Sequence, residues 1–138
     1  MNDVHFMSKK TDRETPTPLF DKLNQEFGFT LDVCATDENA KCGQYFTPKE
    51  NGLYKSWAGN VCWMNPPYGR DIKNWVRKAH EEAKNGIVTV GLLPARTDTY
   101  WFHDYIYGKF EIRFLRGRIN FSGHKNPAPF PSMIVVFR

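Results

Sequence analysis

Four adjacent residues of unlike chemistry, Asn65-Pro66-Pro67-Tyr68, follow a short apolar run, Asn60-Val61-Cys62-Trp63-Met64, which has strand length and is bounded by Gly59 and by the two prolines. Neither proline donates a backbone hydrogen bond, and each pushes its predecessor out of the helical region, so Asn65 and Pro66 are expected to be extended and stiff where the strand ends. The carbonyls there have no ladder to join. The quartet therefore offers a rigid arc of acceptors, the Asn65 side-chain oxygen and the Pro66 main-chain carbonyl, followed at once by the flat face of Tyr68. Such an arc suits a planar amino group. Two acceptors aimed at an NH2, with an aromatic ring against its plane, draw the nitrogen lone pair out of conjugation and leave it able to attack.

The surrounding pattern supplies a frame for this chemistry. Residues 1–14 are polar, mixed in charge and without period, and read as a flexible arm; residues 15–138 read as a single domain. Thr17 as N-cap, Pro18 at the first helical position and Leu19, Phe20, Leu23 and Phe27 on one face predict a short helix ending at Gly28. Phe29 to Ala35 has strand composition and stops in the turn-forming cluster Thr36-Asp37-Glu38-Asn39. Residues 37–59 have room for one short strand at most, which implies a sheet trimmed on that side.

After the quartet, Asp71 opens a helix with Ile72, Trp75, Val76, Ala79 and Ala83 at helical spacing, and Lys84-Asn85-Gly86 closes it. Ile87 to Leu93 is a nearly continuous apolar strand, as expected for a parallel strand covered on both faces, so strand, helix and strand make a βαβ unit. In open α/β sheets ligands bind outside the carboxyl ends of the strands, which places the Thr36 turn and the quartet on one rim. Arg96 and Asp98 follow the neighbouring strand and open onto that rim, either as a substrate contact or as a structural pair beside a helix that Asp98 or Thr99 caps. Phe110 to Leu115 and Ser132 to Phe137 are expected to pair antiparallel. The loop between them carries Arg116, Arg118, Lys125 and Phe121, with Arg113 just before it. Arginine near exposed aromatics can hold phosphate and stack on unpaired bases, although a charged hairpin tip can also be simply solvated.

Composition narrows the classes. The net charge of +4 is uneven: residues 1–60 carry 7 Lys+Arg against 9 Asp+Glu, and residues 61–138 carry 12 against 6. The basic half begins at the quartet, which suits a polyanionic partner. Three cysteines without a Cys-x-x-Cys pair indicate neither a disulfide framework nor a zinc site, and the histidines are scattered, so no metal is expected. No apolar run reaches membrane-span length and no signal peptide is apparent, so a cytoplasmic protein without a membrane partner is expected. The oligomeric state is left open, a monomer being compatible with the length.

Asn-Pro-Pro-Tyr at a strand end resembles the catalytic motif of S-adenosylmethionine-dependent amino methyltransferases. The resemblance widens along the chain. Thr15-Pro16-Thr17-Pro18-Leu19-Phe20, Leu31-Asp32-Val33-Cys34-Ala35-Thr36, Asn65-Pro66-Pro67-Tyr68-Gly69, Leu92 to Thr99 and Ala128-Pro129-Phe130-Pro131-Ser132-Met133 together look like the compact phage-type, Dam-like DNA N-6-adenine methyltransferases. It implies a Rossmann-like α/β sheet, mostly parallel with an antiparallel C-terminal hairpin, and methyl transfer from S-adenosyl-L-methionine to the exocyclic amine of a flipped adenine in DNA, in a phage- or prophage-encoded protein. It implies a catalytic role for Asn65, Pro66, Pro67 and Tyr68, cofactor contacts at Thr15, Pro16, Asp32, Cys34, Ala35, Asn39 and Asn65, and DNA contacts at Tyr68, Arg96, Asp98, Arg116, Arg118 and Phe121.

One departure stands out: no Gly-x-Gly follows the Asp32 strand, so Ala35 has to serve where a nucleotide-binding loop normally has glycine, and Asp32 either meets the cofactor or caps a turn. Two other readings remain. The quartet also suits an RNA base or a glutamine side chain, and a degenerate methyltransferase fold can persist as a nucleic-acid binder without catalysis.

Overall fold

The computed structural model describes residues 14–122 and 124–138; the arm expected over residues 1–14 lies outside the described residues except for Glu14. Ten elements follow in order. They are α1 (Thr17–Phe27), β1 (Leu31–Asp32), β2 (Gln44–Tyr45), a 3-10 turn (Gly52–Tyr54), β3 (Val61–Met64), α2 (Ile72–Lys84), β4 (Val88–Pro94), α3 (Tyr100–Tyr105), β5 (Glu111–Phe114) and β6 (Ser132–Phe137).

The strand that ends in the quartet lies inside the sheet, whose order is β2-β1-β3-β4-β6-β5. β3 runs parallel to β1 on one side and to β4 on the other, with Trp63 opposite both Asp32 and Val90. Cys62, Trp63 and Met64 are buried, as a strand covered on both faces requires. β6 pairs antiparallel with β4 from Thr89↔Phe137 to Pro94↔Ser132, and β5 pairs antiparallel with β6 at the edge. The result is the expected α/β arrangement: a parallel half, an antiparallel C-terminal pair, and a trimmed side where β2 has only two residues.

Two boundaries differ from expectation, each for a local reason. The helix α1 starts one residue early, with Pro16 at the N-cap, because Phe20 N–H already reaches Pro16 O (3.2 Å). The strand expected over residues 29–35 has ladder register only at Leu31 and Asp32. Its flanks keep single bonds, Thr30 N–H to Val61 O (2.8 Å), Val33 N–H to Trp63 O (3.1 Å) and Ala35 N–H to Phe46 O (2.9 Å), and the chain bends out of the ladder where the Cys34 N–H turns to Asp32 Oδ1 (3.3 Å).

α1 lies against the sheet through Phe20, whose ring meets Trp63 edge-on at 5.4 Å. It ends at Gly28 in the left-handed conformation (φ 70°), where a side chain would be strained. α2 buries Ile72, Trp75, Val76 and Ala79, the face its spacing predicts. Trp75 stacks with Trp57 at 6.5 Å, and Trp57 Nε1 donates to Gly52 O (2.9 Å), which ties the 3-10 turn to that helix. The turn sits so close to the end of β1 that a Cβ on Gly52 would lie 2.2 Å from Val33 O. Close backbone approach beside β1 is thus supplied by a glycine well downstream and not by a loop immediately after the strand.

Candidate active site

Four parallel strands, β2, β1, β3 and β4, end on one rim, and β3 and β4 place the quartet there. Asn65 follows β3 directly, and its Nδ2 donates to Thr15 Oγ1 at 3.0 Å. Tyr68 turns inward: its hydroxyl donates to Leu92 O on β4 (3.2 Å) and lies 3.4 Å from Asn65 Oδ1, which accepts. The ring is 8% exposed. It is met edge-on by Phe130 (5.3 Å) and Phe121 (6.2 Å). Pro66 is buried and Pro67 half-buried, so the arc expected from the prolines is rigidly packed on its inner side.

The Arg96 guanidinium stacks over Phe130 at 5.8 Å, so the loop after β4 does share the rim with Tyr68. From the surface inward the order is Arg96, Phe130, Tyr68. Among the described residues no ion pair joins Arg96 to Asp98, and both are exposed. Thr99, not Asp98, caps α3, accepting from Phe102 N–H (3.4 Å).

The residues expected at the cofactor also converge. Thr15, Asp32, Cys34, Asn39 and Asn65, with Glu14, Lys41 and Trp63, line a small polar recess. Asp32 is buried at its base; Oδ1 accepts from Cys34 N–H (3.3 Å) and Oδ2 from Lys41 N–H (3.0 Å). Burial pushes its pKa up to about 6 against those two bonds, which lower it. The Lys41 ammonium goes elsewhere, to Glu14 (3.4 Å). Asn39 closes the turn after β1 by exchanging bonds with Thr36, and Ala35 is buried with its N–H in the ladder-like bond to Phe46 O.

A second, larger recess, about 160 Å³, adjoins the first at Cys34. Phe46, Pro48, Leu53 and Trp75 give it apolar walls, and Thr47, Asn51 and Asp71 give it polar ones. Sequence reasoning treated this interval as a connector and missed it. The available signal was Phe46-Thr47-Pro48 directly after the second parallel strand, the end at which ligands bind in such sheets. Lys41 and Glu14 were likewise not singled out.

The basic loop differs from expectation in two places. Arg113 is held in β5 by both Glu26 oxygens (2.7 Å each) and by Glu111 (2.6 Å), so it is spent on α1 and its own strand. Phe121 is 2% exposed and underpins Tyr68 where an exposed stacking ring was expected. Arg118 donates to Ala128 O (3.4 Å), while Arg116 points from the exposed loop. His80 and His103 bond the backbone carbonyls of Tyr105 and Thr97. Among the described residues no group of His, Cys, Asp or Glu is placed to hold a metal ion, and no helix is long and apolar enough to cross a membrane.

The chain that carries the quartet beside this two-part recess has recognisable relatives. A family model described as DNA N-6-adenine-methyltransferase (Dam) matches residues 5–138. A DNA N-6-adenine-methyltransferase of Haemophilus phage HP1 is 31% identical over 141 residues, covering 94% of this chain and 82% of that protein. Another of that name, from Escherichia phage T1, is 36% identical over 101 residues, covering 71% of this chain and 42% of that protein. The chain belongs to the DNA N-6-adenine-methyltransferase (Dam) family.

Proposed function

We propose that residues 15–138 act as one domain that methylates the exocyclic amine of adenine in DNA, with S-adenosyl-L-methionine as the methyl donor. The observation that carries this reading is the placement of Asn65 and Tyr68 on the rim directly beside the Asp32 recess. The two recesses suit the two ends of the donor. The apolar slot with Phe46, Leu53 and Trp75 fits a planar purine, and the buried Asp32 carboxylate, which Lys41 attracts through space while its ammonium is paired with Glu14, fits an ammonium group. The donor supplies a methyl group made electrophilic by its sulfonium. Asn65 Oδ1 and the Pro66 carbonyl accept from the adenine amine, hold the lone pair out of the ring, and favour the positive charge that develops on nitrogen. As the new C–N bond forms the S–CH3 bond breaks and the neutral thioether S-adenosylhomocysteine leaves; no general base has to act first, because the amine proton becomes acidic only then and passes to solvent.

In a duplex that amine is paired, so the base is taken out of the stack at a cost of a few kcal/mol. An aromatic partner offsets about 1–3 kcal/mol of this. Because Tyr68 is covered by Phe130, an incoming base meets Arg96 and Phe130 before it reaches Tyr68. The exposed arginines of the 116–131 loop offer phosphate contacts and no element shaped to read a major groove, so site preference is expected to be weak or very short. Acting on DNA, the protein would work in the cytoplasm of a bacterial host.

Mass spectrometry of nucleosides from DNA incubated with protein and S-adenosyl-L-methionine tests the reading: methyladenine is expected, and methylcytosine or unchanged DNA would overturn it. A separate expectation concerns the loop. Replacing Arg116 and Arg118 by glutamine should weaken DNA binding and flatten its dependence on salt by about one unit of log slope per lost phosphate contact. An unaltered slope in filter binding would mean that these side chains are only solvated.

A further inference from the structure

The amide of Asn65 serves an amine substrate in only one of its two orientations. With Oδ1 toward the amine it accepts; turned over, it sets one NH2 against another. The backbone does not choose between these, since rotating the amide leaves its shape unchanged. In the structure a neighbouring hydroxyl anchors the amide: Nδ2 donates to Thr15 Oγ1 at 3.0 Å, which leaves Oδ1 on the side of the Tyr68 hydroxyl (3.4 Å), whose one proton is shared with the nearer Leu92 O (3.2 Å).

Thr15 is itself held firmly. It is 1% exposed. Glu14 before it forms an antiparallel bridge with Ser122, whose N–H donates to Glu14 O (3.1 Å), and Glu14 also meets Lys41; Pro16 after it starts α1. The backbone on either side of Thr15 is thus tied to separate parts of the chain. That is more constraint than a loop side chain needs, and it is what an orienting group does need.

We propose that Thr15 is a positioning residue for methyl transfer: its hydroxyl oxygen, by accepting from Asn65 Nδ2, keeps Asn65 Oδ1 turned toward the target amine. The inference rests on the reading of Asn65 as the amine acceptor. It predicts a defect in turnover separate from cofactor affinity. Valine matches threonine in shape and has no acceptor, whereas serine keeps the oxygen. Thr15→Val should lower kcat on the order of 10- to 100-fold, the scale of a small misplacement of a reacting group. Its melting temperature should stay near that of the wild type, the fall in kcat should persist at saturating S-adenosyl-L-methionine whatever change in affinity calorimetry records, and Thr15→Ser should restore kcat. Thr15→Ala removes the same acceptor with less bulk and serves if the valine variant does not fold. Wild-type kcat in the acceptor-free variants, a loss of cofactor affinity that accounts for the loss of rate, or a serine variant as slow as valine would each overturn the proposal. An inactive wild type overturns the underlying reading as well, whereas an active wild type with unaffected variants overturns this inference alone.

Discussion

Asn65→Ala should lower the rate of adenine methylation by about 10²- to 10³-fold, the scale on which the loss of one preorganised hydrogen-bonding group at a developing charge is felt. The substitution removes Oδ1, the oxygen held between Tyr68 and the rim, and also the amide that bonds Thr15. It does little to the fold, because Asn65 lies at the half-buried end of β3 and the strand's packing is made by Cys62, Trp63 and Met64. Steady-state kinetics on DNA, with circular dichroism as a check on folding, separates the two effects. The expected pattern is a fall in kcat with little change in the apparent affinity for DNA, since phosphate contacts dominate that affinity. A variant that methylates at the wild-type rate would remove Asn65 from the mechanism.

Cofactor binding should weaken as the pH falls through about 6, the value to which burial raises the Asp32 carboxyl from its usual 3.8. The sign follows from the geometry. Because the pKa is raised in the folded protein, the stability associated with Asp32 is fully present below pH about 4 and is lost as the pH rises through about 6; above that, the ionised carboxylate costs about 3 kcal/mol. Two backbone N–H groups limit this cost without abolishing it. A carboxylate kept charged at such expense suits a cationic ligand group. An ammonium at Asp32 would lower the pKa again, so cofactor binding near pH 6 should be accompanied by proton release.

Asp32→Asn should cost about 10- to 100-fold in affinity for S-adenosyl-L-methionine, in line with a lost charge-assisted hydrogen bond, and should abolish most of the pH dependence between 5 and 7. Calorimetry in buffers of different ionisation enthalpy measures both quantities. Unchanged affinity in the amide variant, with no pH dependence in the wild type, would return Asp32 to the role of a turn cap.

The frame was legible wherever neighbouring residues carry the information. The unbroken apolar runs in β3, β4 and β6, the helical spacing from Ile72 to Ala79 with Gly86 beyond, and the paired prolines after Met64 each depend on residues a few positions apart. Periodicity and backbone restriction act over that range, so strand, helix and the rim position of the quartet could be placed. Where elements depend on tertiary contacts the reading was less accurate: the strand expected over 29–35 keeps ladder register only at Leu31 and Asp32, beyond which the Cys34 N–H turns to the Asp32 carboxylate.

What the sequence by itself determined is the chemistry on offer: an Asn with a rigid proline arc and a tyrosine at a strand end, a carboxylate at the end of a second strand, and a basic C-terminal half. Only the tertiary structure decided how these groups are used. It set Thr15 against Asn65 across 50 residues and Arg113 against Glu26 across 87. It turned Tyr68 and Phe121 inward, and it built the second recess from a stretch that reads as a connector. Local pattern states which face of an element is apolar, whereas the partner of a particular polar atom depends on which distant segments the packed core brings within 3 Å of it, and no periodicity records that.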